Sequence, residues 1–100
     1  MKGAIANLEI YAFERVETPG AGPRRLSLAI TAPERREEGG GWACRVALAD
    51  LHRPRPVEGR DSFEALAAAV ACARDWIEAL EAEGYVLFRD RAGERRLELP

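Results

Sequence analysis

Apolar and polar positions alternate with a period of two through the first half of the chain. In "IANLEIYAFERV" (5–16), Leu8, Ile10 and Ala12 fall on one face and Glu9, Tyr11 and Phe13 on the other. That pattern predicts a strand covered in part on both faces. "ETPGAGP" (17–23) ends it with two prolines and two glycines. "RRLSLAITA" (24–32) sets Leu26, Leu28 and Ile30 against Arg25, Ser27, Ala29 and Thr31, a second strand. "PERREEGGG" (33–41) reads as a charged, mobile loop. "WACRVALADL" (42–51) alternates again, with Trp42, Cys44, Val46 and Leu48 on one face. These three strands most simply form an antiparallel meander. In "HRPRPVEG" (52–59), Pro54 and Pro56 each lack a ladder donor, which predicts at best an edge strand reaching the sheet around Val57.

The period then changes. "GRDSFEALAAAVACARDWIEALEAEG" (59–84) is a helix with Asp61 and Glu64 at capping-box spacing and Gly84 as its stop. Phe63, Leu66, Val70, Ala73, Ile77 and Leu80 recur at steps of three and four. They occupy an arc of roughly 100°, enough to seat a helix on a sheet. Ala65, Ala68, Ala69, Cys72 and Trp76 form a second stripe, so the apolar arc spans about 200°. "YVLFRDRAGERRLELP" (85–100) predicts a closing hairpin turning between Asp90 and Gly93, with Leu97 and Leu99 pointing back. The order βββ(β)αββ predicts an α+β, two-layer sandwich in a single domain, 1–100: an antiparallel sheet with one long helix packed on one face. The surplus stripe needs a cover. The expectation is a second copy of the chain, with Ala65, Ala69, Cys72 and Trp76 at the interface, or else the C-terminal hairpin folded over the helix.

Composition narrows the classes. One hundred residues give one modest core. No apolar run approaches a membrane span, and the first residues lack an apolar core and soon reach Glu9 and Glu14, which argues against a leader peptide. Cys44 and Cys72 have no CxxC or Cys/His spacing, as expected for reduced thiols in a cytoplasm. A net charge of −2 argues against a dedicated nucleic-acid binder. The Arg- and Ala-rich usage points to a GC-rich bacterial genome.

Chemistry-bearing residues are few. Ser62 beside Asp61 could suggest a nucleophile with an acid, but no base stands nearby and both residues sit where a helix start wants them. His52, the only histidine, reads as a loop residue. No spacing implies a metal site, a phosphate loop or a cofactor. Arg53, Arg55 and Arg60 flank the helix start, while Arg89 and Arg91 lie on the C-terminal hairpin. If those regions were adjacent they would form a basic patch.

The run "GGWACRVALADL…PVEGRDSFEAL" resembles a group of small bacterial domains of unknown function with a W-x-C strand, a G-x-D-S helix start and an Ala-Leu-rich helix. Trp42, Cys44, Gly59, Asp61, Ser62, Ala65 and Leu66 carry the resemblance, which spans about residues 12–80 and implies a fold and no activity. More distantly, the short sheet leading through a G-x-D-S turn into a helix is similar to antitoxins of the HicB type. This chain lacks their usual tyrosine- and proline-containing core-strand pattern and an appended DNA-binding segment. The expected function is therefore non-enzymatic protein–protein association, as a homodimer or with a protein partner. The alternative is an RNA- or toxin-binding module using the arginines.

Overall fold

The computed structural model describes residues 3–16 and 22–99; the Pro/Gly break expected at 17–23 falls largely outside them. The elements are β1 (Ala4–Glu14), β2 (Arg24–Thr31), β3 (Glu34–Arg35), β4 (Trp42–Leu48), β5 (His52–Gly59), α1 (Ser62–Ala82) and β6 (Tyr85–Phe88). The α+β sandwich is as the sequence predicts: one open antiparallel sheet with one helix packed against it. From one edge to the other the sheet runs β5, β4, β2, β1, β6, all antiparallel.

β3 lies in the expected loop and continues the line of β2 along β4. The two pairings differ in register by one residue, which leaves the Arg45 N–H without a backbone partner at the join. The buried Thr31 hydroxyl accepts it at 2.8 Å. The segment beyond β3 is tied by Arg36 N–H to the Gly41 carbonyl, with Gly39, Gly40 and Gly41 all at positive φ.

β5 is a full strand rather than a fragment near Val57. It pairs with β4 from Trp42↔Gly59 to Leu48↔His52. Its prolines are tolerated for a geometric reason. The Ala49 N–H donates to the Ser27 carbonyl, so odd-numbered residues of β4 point their backbone groups at β2 and even-numbered ones at β5. Pro56, opposite Arg45, therefore turns its nitrogen to the outer edge, and Pro54 lies in the register shift between Val46↔Arg55 and Leu48↔His52, where the ladder is already interrupted.

The core gathers Ile10, Leu26, Leu28, Ile30, Cys44, Val46 and Leu48 from one face of the sheet beneath the helix. The helix sits on part of the stripe predicted for it: Ala73, Ile77 and Leu80 are buried and Leu66 packs against the core, while Phe63 and Val70 turn out. Its buried residues are Ala65, Ala69, Ala73, Ile77 and Leu80, an arc centred between the two stripes. Phe63 is 82% exposed and Val70 42%. The helix packs over β4 and β5 and meets β6 through its last turns. Gly59 fixes where it crosses. A Cβ there would lie 2.3 Å from the Ala65 nitrogen and 2.8 Å from its Cα, so the first helical turn rests backbone to backbone on the end of β5.

β6 closes the fold beside β1, from Tyr11↔Phe88 to Glu14↔Tyr85. The predicted second hairpin strand is reduced to one bridge, Phe88↔Arg96, with the Leu97 N–H donating to the Leu87 carbonyl. The Asp90 carboxylate holds the turn by accepting from the Glu94 and Arg95 N–H groups.

Gly59→Ala should cost about 3 kcal/mol, because the obstruction is main chain and cannot rotate away. The denaturant midpoint measures it; an unchanged midpoint would show that the helix does not need this approach.

Candidate functional site

The second helix stripe is covered by its own chain. Ala65 and Ala69 are 0% exposed, and Cys72 and Trp76 are half-buried against the core. β5 provides much of the cover. His52 is a strand residue, and its ring stacks on Trp76 with centroids 4.3 Å apart and planes 6° from parallel. Burial pushes the Cys72 thiol above its ordinary range, with Asp75 adding to the shift and the Arg55 charge opposing it. Burial likewise raises Cys44. Of the four residues expected at a dimer interface, Ala65 and Ala69 are taken up entirely within the chain, and Cys72 and Trp76 keep part of their surface. The strand that the prolines made hard to read is what sits on them.

The predicted basic patch is divided. Arg53, Arg55 and Arg60 belong to β5 and the helix start at one edge of the sheet, and Arg89 and Arg91 follow β6 at the other. Several are also engaged. Arg60 bonds Glu64 at 3.0 Å, Arg89 donates to the Glu98 carbonyl, and Arg91 lies over the Tyr11 ring. The arginines that do converge were not singled out by the sequence. Arg35, Arg36 and Arg45 border a concavity of about 510 Å³ with Thr31, Glu34 and Pro56. Glu34 stands among them, and Arg36 is paired with Glu58 at 3.2 Å. The concavity is therefore mixed in charge.

Asp61 and Ser62 serve the helix start. The Asp61 carboxylate accepts from the Glu64 N–H at 2.7 Å, and Glu64 reaches back to the Arg60 N–H rather than to Asp61 itself. Among the described residues no group of His, Cys, Asp and Glu could hold a metal ion, and no helix is long and apolar enough to cross a membrane.

What the sheet leaves open is an edge. β6 pairs with β1 only from Tyr11 onward, so among the described residues Ala4–Ile10 has β2 on one side and no strand on the other. The orientation of its backbone follows from the junction below. The Arg15 N–H donates to the Gly84 carbonyl across the β1–β6 boundary at 2.9 Å. Odd-numbered residues of β1 therefore face the β6 side, and by the period of two Asn7 and Glu9 face the same way, past the end of β6. A bulge between Ala4 and Ala6 takes Ile5 out of the regular ladder, and Ile5 is 57% exposed. The Glu9 side chain is drawn back over the sheet by Arg25 at 2.8 Å and by the Ser27 hydroxyl at 3.2 Å. That pair holds the Glu9 carboxyl below the usual range, chiefly through the Arg25 hydrogen bond.

The site belongs to an open-sheet α+β domain with one bare strand edge. No protein-family model matches the chain, nor does any curated protein or solved structure.

Two outcomes follow. Trp76→Glu should lower the unfolding free energy of the chain itself by roughly 2 kcal/mol or more, at every protein concentration, because it destroys an internal contact. A midpoint that changed only in a concentrated sample would place Trp76 in an interface after all. The small stabilisation from Glu9 with Arg25 is fully present above the unfolded carboxyl value of about 4 and disappears as pH falls through the lower folded value. Glu9→Gln should flatten that limb of an acid titration; an unchanged limb would assign it to other carboxyls.

Proposed function

We propose that this chain is a protein-association domain that engages its partner by adding a strand to the open edge of β1. One observation carries the reading: Ala4–Ile10 is a strand with one edge that no described strand pairs, its only irregularity a bulge confined to Ala4–Ala6, beyond which Ala6–Ile10 keeps regular register with β2. Unpaired N–H and C=O groups in a row are a template for another strand, and chains normally blunt them with proline, lysine, a bulge or a covering element. Ala4–Leu8 contains neither residue and carries no charge. The opposite edge of the same sheet, β5, carries Pro56, turned outward, and Pro54 in a register shift. Strand addition gives affinity through main-chain hydrogen bonds and leaves specificity to alternate side chains, here those of Ile5 to Glu9. The rival reading, an arginine surface for RNA, required one patch, and those arginines lie at opposite edges.

The test is cross-linking in the cells that produce the protein, comparing the native chain with Asn7→Pro. Proline at position 7 deletes an outward donor and leaves the β2 ladder intact. The expected result is a cross-linked assembly, of whatever partner, that Asn7→Pro abolishes and Glu81→Lys on the exposed helix face does not. An assembly indifferent to Asn7→Pro would overturn the reading.

A further inference from the structure

Resting on that strand-addition reading, we infer that the strand received by the β1 edge is β1 of a second copy of this chain, paired antiparallel about a two-fold axis at Asn7. The first ground is the length of the gap. The free run is bounded by the start of β1 at Ala4 and by the arrival of β6 at Tyr11, so it comprises Ala4 to Ile10. Asn7 is its midpoint. A second β1 laid antiparallel about Asn7 sets Ala4 opposite Ile10, Ile5 opposite Glu9 and Ala6 opposite Leu8. Both copies then fill the gap without meeting the end of β6. A longer strand would collide with Phe88, where β6 takes over the edge.

The second ground is the direction of the backbone groups. Asn7 and Glu9 face the open side. Pairing about Asn7 sets Asn7 against its copy as a pair of the type in which two residues exchange both main-chain hydrogen bonds. It also brings the outward groups of Glu9 to the bulged start of the other strand at Ile5, where the period of two is interrupted. A register shifted by one residue would bring outward-facing groups opposite inward-facing ones.

The third ground is the side chains and their charge. On the helix-side face, exposed Ala6 meets half-buried Leu8 of the other copy, which extends the apolar core face across the junction. At the bulge, Ile5 falls opposite Glu9, whose carboxylate is already bound to Arg25. No like charges stand directly opposite, the arrangement that destabilises a strand pair. The two-fold axis is normal to the sheet, so both helices lie on one side. They do not compete for space, because each is set mainly over β4 and β5 and reaches β6 only beside the Tyr11–Glu14 end of β1, away from Ala4–Ile10.

Sedimentation equilibrium on the purified chain tests the inference, with native protein, Asn7→Pro and Ile5→Glu. Ile5→Glu is the second variant in case proline disturbs the strand, since its carboxylate stands opposite Glu9 of the other copy and like charges across a strand pair oppose pairing without altering the backbone. The expected result is a native dimer that dissociates on dilution, and two variants that are monomeric with an unchanged circular dichroism spectrum. The amides of Asn7 and Glu9 should be protected from hydrogen exchange in the dimer and lose that protection on dilution. A native chain that stays monomeric at all concentrations would overturn the second-copy inference; the strand-addition reading would then stand or fall on the cellular cross-link alone. A dimer that persists in both variants would overturn both, placing the interface away from β1.

Discussion

The contact between the first turn of α1 and the end of β5 governs the arrangement of the whole molecule. Gly59 has no side chain, and the backbone of Ala65 occupies the space where one would be. Ala65, Ala69 and Ala73 continue that close approach along the helix with the smallest side chain that still favours helix. Small residues bring the helix axis down onto the edge half of the sheet, over β4 and β5. Large residues take over only later, at Trp76, Ile77 and Leu80, where the helix meets β6 and the centre of the core. The exposure of Phe63 and Val70 follows from the same placement. Their side of the helix turns away once the alanines are seated.

That placement also decides which parts of the sheet are covered. β5 would be a poor strand by itself, with two prolines and a largely charged remainder. It is held by β4 on one side and by the helix stripe above it, including the stack of His52 on Trp76. At the other side of the sheet the helix contributes only its last turns, through β6, and β6 is four residues long against the eleven of β1. The bare edge is thus the difference in length between the first strand and the last. A helix centred over β1 and β2 would have left β5 uncovered instead.

Much of this was legible in the chain. The alternation in 5–16, 24–32 and 42–51 located β1, β2 and β4 and put Ile10, Leu26, Leu28, Ile30, Cys44, Val46 and Leu48 on the inward face. Asp61 and Gly84 marked the helix ends because capping depends on local backbone geometry. The azimuth of the helix was not legible, because periodicity shows which positions are apolar and not which of two apolar arcs faces the sheet. Weighting by side-chain size chose the arc containing Phe63 and Val70. The close approach imposed by Gly59 chose the alanines. β5 is hard to read because proline counts against a strand unless its nitrogen faces an open edge, as that of Pro56 does, or falls where the ladder is already interrupted, as at Pro54. The open edge of β1 had no sequence signal at all: it exists because β6 stops at Phe88, and pairing length is a tertiary property.

The two rims of this sheet differ in a way that local folding does not require. β5 would pair with β4 equally well with an ordinary residue at 56, since that nitrogen does not face β4, and Pro54 falls where the ladder is already interrupted. Pro56 therefore acts outward, as a barrier to another strand, and Pro54 adds an irregularity beside it. Replacing two residues by proline in a strand removes conformational options and two potential donors, and the same effect at Asn7 was open to this chain, whose outward nitrogen is likewise free of the β2 ladder. Instead β1 presents alanine, isoleucine, asparagine and leucine, with the one nearby carboxylate held back by Arg25. A barrier on one rim and an uncharged, donor-complete run on the other make pairing directional: growth through β5 is blocked, and addition at β1 is allowed once. With β1 occupied by a two-fold partner, the outer rims of the assembly are both β5, each closed by its prolines. The sheet then ends there, which is how an edge can be sticky without leading to open-ended polymerisation.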